Sequence, residues 1–112
     1  MTSFVNLTPH EIKILNADTD LVDSFPPSGI VARVSVTVIE GEKIGSYRTV
    51  QSVYGEVENL PSEQPDVFYI VSQMVLGKTK DRLDVLAPDS GLTAVRNEAG
   101  QIAYVLDFVR PN

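Results

Sequence analysis

At 112 residues the chain has length for one domain and no room for a second independent core. Hydrophobic residues make up 43% and charged ones 21%, a globular rather than disordered balance; with four Phe, four Tyr and no Trp, the bulk falls to Val, Ile and Leu, which favours a β-rich core. The absence of cysteine excludes disulfides, thiolate zinc sites, iron–sulfur clusters and Cys nucleophiles, and a net charge of −6 disfavours contact with phosphate backbones and anionic membranes.

Phe4–Leu7 is a short apolar start ended by a Thr8-Pro9 turn, because proline fixes its own φ and pushes Thr8 towards an extended conformation. Glu11–Leu15 alternates, with Ile12 and Ile14 on one face, and predicts a strand pairing with Phe4–Leu7 or with Leu21–Phe25 beyond the Asn16-Ala17-Asp18 turn. The competing reading is a helix capped by Thr8, with Pro9 at its first position and Glu11 completing a capping box. Phe25-Pro26-Pro27-Ser28-Gly29 is a rigid corner.

Ile30–Ile39 is the clearest strand, with Val34, Val36 and Val38 on one face and Arg33, Ser35 and Thr37 on the other. Glu40-Gly41-Glu42 turns the chain, Ile44–Val53 returns as a hairpin with a bulge suggested by Gly45, and Tyr54–Glu58 continues extended. Asn59–Asp66, with two prolines, is a surface loop.

Val67–Val71 is a near-continuous apolar run, the pattern of a strand buried on both faces; Ser72–Leu76 either extends it or forms a helical turn or two, with Ser72 as the cap and Gly77 as the stop, and the preferred reading is strand and then helical turn. The chain becomes abruptly polar, supplying Asp81, Arg82, Asp84, Asp89, Ser90 and Arg96 around a short strand at Asp84–Ala87. A rigid strand that delivers a polar, turn-rich segment is a common way to place a binding site. Leu92–Arg96 and Gln101–Val109 close the sequence as a hairpin across Asn97–Gly100. The expected fold is therefore α+β but predominantly β: a single compact domain over residues 1–112, with six to eight mostly antiparallel strands and one or two short helical turns.

No sequence motif for catalysis is present: no G-x-S-x-G, no P-loop, no G-x-G-x-x-G and no H-E-x-x-H. His10 is the only histidine, so with no cysteine a transition-metal site is not expected; Asp81, Asp84 and Asp89 lack the EF-hand spacing for Ca²⁺. No cofactor is implied. Arg33, Arg82 and Arg96 all neighbour turns, and guanidinium groups suit bidentate recognition of phosphate or carboxylate. If they converge, Asp84 and Asp89 hold them in place or accept hydrogen bonds from a ribose or base, with Ser72 and His10 completing a pocket; otherwise they are surface ion pairs worth little.

Five blocks stand out in order: Asn6-Leu7-Thr8-Pro9-His10; Pro26–Gly29 with Ala32-Arg33-Val34; Tyr54–Val57; Tyr69–Ser72; and Arg82 through Ala87-Pro88-Asp89 to Val95-Arg96. Together they resemble a family of small uncharacterised proteins of bacteria, prophages and phages, over nearly the full length. The resemblance implies a cytoplasmic accessory protein in a phage or mobile-element setting and carries no activity or residue roles. It directs attention to the polar residues in those blocks, Asn6, Thr8, His10, Ser28, Arg33, Glu56, Ser72, Arg82, Asp84, Asp89 and Arg96.

The leading expectation is a non-catalytic binding module for a small anionic, nucleotide-like ligand, with His10, Arg33, Ser72, Arg82, Asp84, Asp89 and Arg96 as its site. Sequestration of a host signalling nucleotide is one concrete version, by analogy alone. A protein–protein or inhibitory module acting on a host protein through its acidic surface or a strand edge is the second. A small hydrolase on a phosphorylated or nucleotide substrate, with His10 as base and Asp84 or Asp89 assisting, is the third. Homo-oligomerisation suits all three. With neither a secretory signal nor an apolar run of membrane-spanning length in the sequence, the expected compartment is the cytoplasm.

Overall fold

The valine- and isoleucine-rich runs become strands almost throughout, in a computed structural model that describes residues 2–111. In chain order these are β1 (Ser3–Asn6), β2 (Ile12–Leu15), β3 (Val22–Phe25), β4 (Arg33–Glu40), β5 (Val50–Glu58) and β6 (Val67–Ile70). After the single short helix α1 (Gln73–Gly77) come β7 (Val85–Pro88), β8 (Val95–Arg96), β9 (Ile102–Tyr104) and β10 (Phe108–Val109). The fold is predominantly β, and most of the ladders are antiparallel.

The central sheet has the order β1-β6-β7-β10, with β6 parallel to both its neighbours and β10 antiparallel to β7. Parallel neighbours need a crossover, and α1 with the polar 78–84 segment supplies the one between β6 and β7. Ser72 caps α1: its side chain accepts a hydrogen bond from Val75 N at 3.3 Å.

Register explains why β6 reads as an unbroken apolar run. Tyr69 and Val85 are partners on one face, where they join Leu7, Val34, Val71, Val75 and Ala87 in the main core. Phe4 and Phe68 are partners on the other face, where all four phenylalanines gather. Phe4 lies 5.3 Å from Phe25, 5.9 Å from Phe68 and 6.1 Å from Phe108 between ring centroids. Both faces are thus covered, and full burial of Ile70, Val71, Val75 and Val85 contributes about 1.5–3 kcal/mol each.

The stretch after Asn6 takes neither a helical path from Thr8 nor a pairing of Glu11–Leu15 with β1. Instead, β2 pairs antiparallel with β3, from Ile12↔Phe25 to Leu15↔Val22. The reason is a buried polar hub. Asn6, 2% exposed, donates through Nδ2 to the carbonyls of His10 (2.7 Å) and Phe25 (2.9 Å), and its Oδ1 accepts from Thr8 N (2.9 Å) and the Thr8 hydroxyl (2.7 Å). These bonds satisfy backbone groups that a helix would otherwise need.

The expected strand at Gln101–Val109 breaks at Leu106-Asp107. Its first part pairs with β8, Val105 bridges to β2 (Val105 N to Lys13 O, 2.9 Å; Leu15 N to Val105 O, 2.9 Å), and β10 joins β7. The return strand of the long hairpin begins at Val50, later than the sequence suggests, because Ile44 and Tyr47 close a small turn of their own at the tip with Gly45 at φ 62°.

Candidate functional site

A cleft of about 690 Å³ lies between β2, the β8–β9 hairpin and the Pro88–Ser90 turn. Its apolar surface comes from Ile12, Pro88, Ile102, Ala103 and Val105, with the ring of Tyr104 beside them. Its polar groups are His10, Glu11, Lys13, Ser90 and Asn97. A mostly apolar depression of this size with a few polar groups matches the general form of small-molecule sites, which run about 300–1,000 Å³.

Each wall is held by identifiable bonds. The Asn6 hub fixes the His10 carbonyl, so the backbone that carries the imidazole at the cleft is pinned from beneath. Lys13 extends from β2, with Nζ 3.6 Å from Glu11 Oε1, and both side chains are about half exposed. Asp89 closes a turn by accepting from Gly91 N (3.3 Å) and from the Thr93 hydroxyl (3.4 Å). Arg96 ties the two loops together, donating from Nη1 to Gly100 O (2.9 Å) and from Nη2 to Ser90 O (3.4 Å). Asn97 Oδ1 accepts from Ala99 N and Gln101 N at 3.0 Å each, shaping the β8–β9 turn that Gly100 completes at φ 80°. That leaves the His10 ring and the hydroxyls of Ser90 and Tyr104 without hydrogen bonds to the other described residues.

The seven expected site residues distribute as follows. His10 lines this cleft, while Asp89 and Arg96 fix the loops that contribute Pro88, Ser90 and Asn97 to it. Ser72 is the α1 cap; the next residue, Gln73, reaches Pro88 O at 3.0 Å from Nε2. Arg82 and Asp84 form a closed pair: Nε to Oδ1 and Nη2 to Oδ2 are both 2.7 Å, and Nη2 also donates to Pro61 O at 2.9 Å. Glu63 stands 3.6 Å from Arg82 Nε. The hydrogen bond from Arg82 holds the Asp84 carboxyl below the usual carboxylate range, against the opposing effect of burial; reciprocally, Asp84 raises the Arg82 guanidinium. Arg33 sits at the base of β4 opposite Glu58.

The three arginines therefore do not share one cleft. Arg82 lines a separate, shallower depression of about 500 Å³ with Gly55–Val57, Leu60, Lys78, Thr79 and Asp81, and Arg33 lines neither. Sequence reasoning passed over Lys13, Asn97 and Tyr104, and it named Ser90 in the polar segment without making it a site residue. Asn97 had a signal, since Asn-x-x-Gly marks a turn, and Tyr104 stood on an alternating strand; nothing local marks Lys13 or Ser90 as neighbours of either. Among the described residues, no three His, Asp or Glu side chains come together as a group able to hold a metal ion. No helix among them is long and apolar enough to cross a membrane. No family model, curated protein or solved structure matches the chain.

Proposed function

We propose that the protein is a non-catalytic binding module, of the phage or mobile-element type that the sequence resembles, and that it holds a small anionic, nucleotide-like ligand in the His10–Tyr104 cleft. The observation that carries this reading is the coincidence, in one depression of about 690 Å³, of an apolar wall with a Tyr ring and polar groups that have no internal partner. A flat base suits the apolar wall and Tyr104. Lys13 and the His10 ring supply donors for a phosphate or carboxylate, and Ser90 and Tyr104 hydroxyls for a ribose. Arg96 serves as a positioning residue that sets the distance between the Ser90 and Gly100 loops.

Hydrolysis is not part of this reading. Of the two assistants in that scheme, Asp84 lies in the closed pair with Arg82, away from the His10 cleft, and Asp89 accepts from Gly91 N and the Thr93 hydroxyl within its own turn.

The test is a thermal melt against a panel of mono-, di- and cyclic nucleotides, with inorganic phosphate as the anion control. At a ligand concentration about 100 times Kd, the stabilisation is about 2.7 kcal/mol, a rise in Tm of roughly 10 °C for a domain of this size. Lys13→Glu and Tyr104→Ala, each with its own unliganded Tm as reference, are expected to remove the shift. Absence of a shift with every nucleotide, or a shift undiminished in both variants, refutes the assignment of this cleft.

A further inference from the structure

With the histidine counted neutral, Lys13 is the one cation among the described residues that lines the His10–Tyr104 cleft. It is not alone there. Glu11 lines the same cleft and holds its Oε1 3.6 Å from Lys13 Nζ, so the pair brings no net charge to the site. The turns beyond add Asp89, Arg96 and Glu98, one base against two acids, and Arg96 already donates to the Ser90 and Gly100 carbonyls. The chain as a whole carries −6.

These charges limit what the cleft can hold. An anionic oxygen accepting from Lys13 Nζ sits about 2.8 Å from it. While Glu11 keeps its place, that oxygen is no farther than about 6.4 Å from the Glu11 carboxylate oxygen, inside the screening length of about 8 Å at physiological salt. A first negative charge gains a direct, charge-assisted hydrogen bond that outweighs this repulsion. A second charge on the same group gains at Lys13 about what it loses to Glu11. It must also shed water against the apolar wall of Ile12, Pro88 and Ile102, which costs affinity without return. Repulsion of this kind lets a site reject a ligand that its attractive contacts alone would accept.

We infer that Glu11 sets the charge of the ligand. The cleft takes a nucleotide-like molecule whose phosphate is a singly charged diester, and it discriminates against a terminal phosphate carrying close to two charges. This inference rests on the nucleotide-like reading of the cleft and narrows it. Lys13 is the anion contact and Glu11 the specificity-determining residue. A terminal phosphate calls for a second cation, and the other candidates are placed elsewhere: Arg82 is closed on Asp84 and Pro61 O, and Arg33 lies opposite Glu58.

The test is calorimetric binding of the full chain to the ribonucleoside 5′-monophosphates and to their phosphate methyl esters at about pH 8, where the terminal phosphate is a dianion. Each pair shares base and ribose and differs by one charge. The ester is expected to bind about threefold more tightly, or better. At water's dielectric one unit charge about 6.4 Å away changes affinity about threefold. Glu11→Gln is therefore expected to tighten the ester about threefold and the monophosphate, with twice the charge, about tenfold. Lys13 and Glu11 are about half exposed, so this variant is expected to keep its unliganded Tm. A monophosphate that binds more tightly than its ester overturns the inference and leaves the nucleotide-like reading standing. So does Glu11→Gln changing both by the same factor, or neither. No binding by any member of the pairs, or binding undiminished in Tyr104→Ala, refutes the reading of the cleft and this inference with it.

Discussion

Removal of the Asp84 carboxylate tests a bidentate, charge-assisted contact between Arg82 and Asp84. Asp84→Ala deletes two charge-assisted bonds of 2.7 Å and leaves Arg82, whose side chain is only 21% exposed, with Pro61 O and a carboxylate of Glu63 at 3.6 Å. Stranding one member of a fully buried pair costs about 3–5 kcal/mol; here partial access to water and the remaining partners lower the expected cost to about 2–3 kcal/mol. For 112 residues this is a fall in Tm of about 10 °C. A double-mutant cycle with Arg82→Ala is expected to give a coupling of about 1.5 kcal/mol, because each single variant already forfeits the same pair. The pH dependence has a defined sign. Asp84 is held below its unfolded value, so the unfolded chain binds more protons as pH falls; the contribution is complete above about pH 4 and is lost as pH drops through the folded value. Urea titrations of the four proteins between about pH 2 and pH 7 measure both quantities. A coupling below about 0.5 kcal/mol, or an acid limb unchanged by Asp84→Ala, refutes the pair as a net stabilising contact.

Three further substitutions probe the supports of the cleft and sheet. Asn6→Asp replaces the donating amide with an oxygen facing the carbonyls of His10 and Phe25, and is expected to cost about 3 kcal/mol by chemical denaturation; a change within error would mean that water replaces the hub. Ser72→Ala removes the α1 cap and should cost about 1 kcal/mol, with Ser72→Asn recovering most of it. Arg96→Ala frees the Ser90 and Gly100 carbonyls, and faster amide exchange confined to residues 89–101 is the expected readout, with global stability lowered by about 1 kcal/mol or less.

The parts of the fold that local pattern determines were readable in the sequence. Val67–Ile70 is apolar at every position because both faces of β6 are covered, and Ser72 followed by Gly77 brackets α1. The β2–β3 hairpin and the long β4–β5 ladder follow from alternation between turn residues. Pairing partners are less legible. Parallel contacts of β6 with β1 and β7 join segments separated by dozens of residues, and alternation is the same whichever strand lies alongside. Asn6-Leu7-Thr8-Pro9-His10 shows the limit clearly: its letters permit a capped helix or a turn, and the choice rests on carbonyls of His10 and Phe25 that only the fold brings to the Asn6 amide.

The site illustrates a second limit, which concerns charge. Arg33, Arg82 and Arg96 look equivalent in sequence, each beside a turn, yet a guanidinium can serve a ligand only where its donors remain uncommitted. Arg82 has a carboxylate two residues away that matches its fork, and Pro61 O takes a further donor. Arg96 meets two carbonyls of the loops it joins. Both arginines consequently shape the surface from within, and the side chains left lining the cleft include Lys13, Ser90, Tyr104 and His10, which carry no distinctive spacing. The same reasoning separates the two surfaces of the molecule. The cleft gathers polar groups without internal hydrogen bonds, whereas the β4–β5 hairpin exposes apolar side chains such as Val38 and Val50, so the two surfaces differ in chemistry.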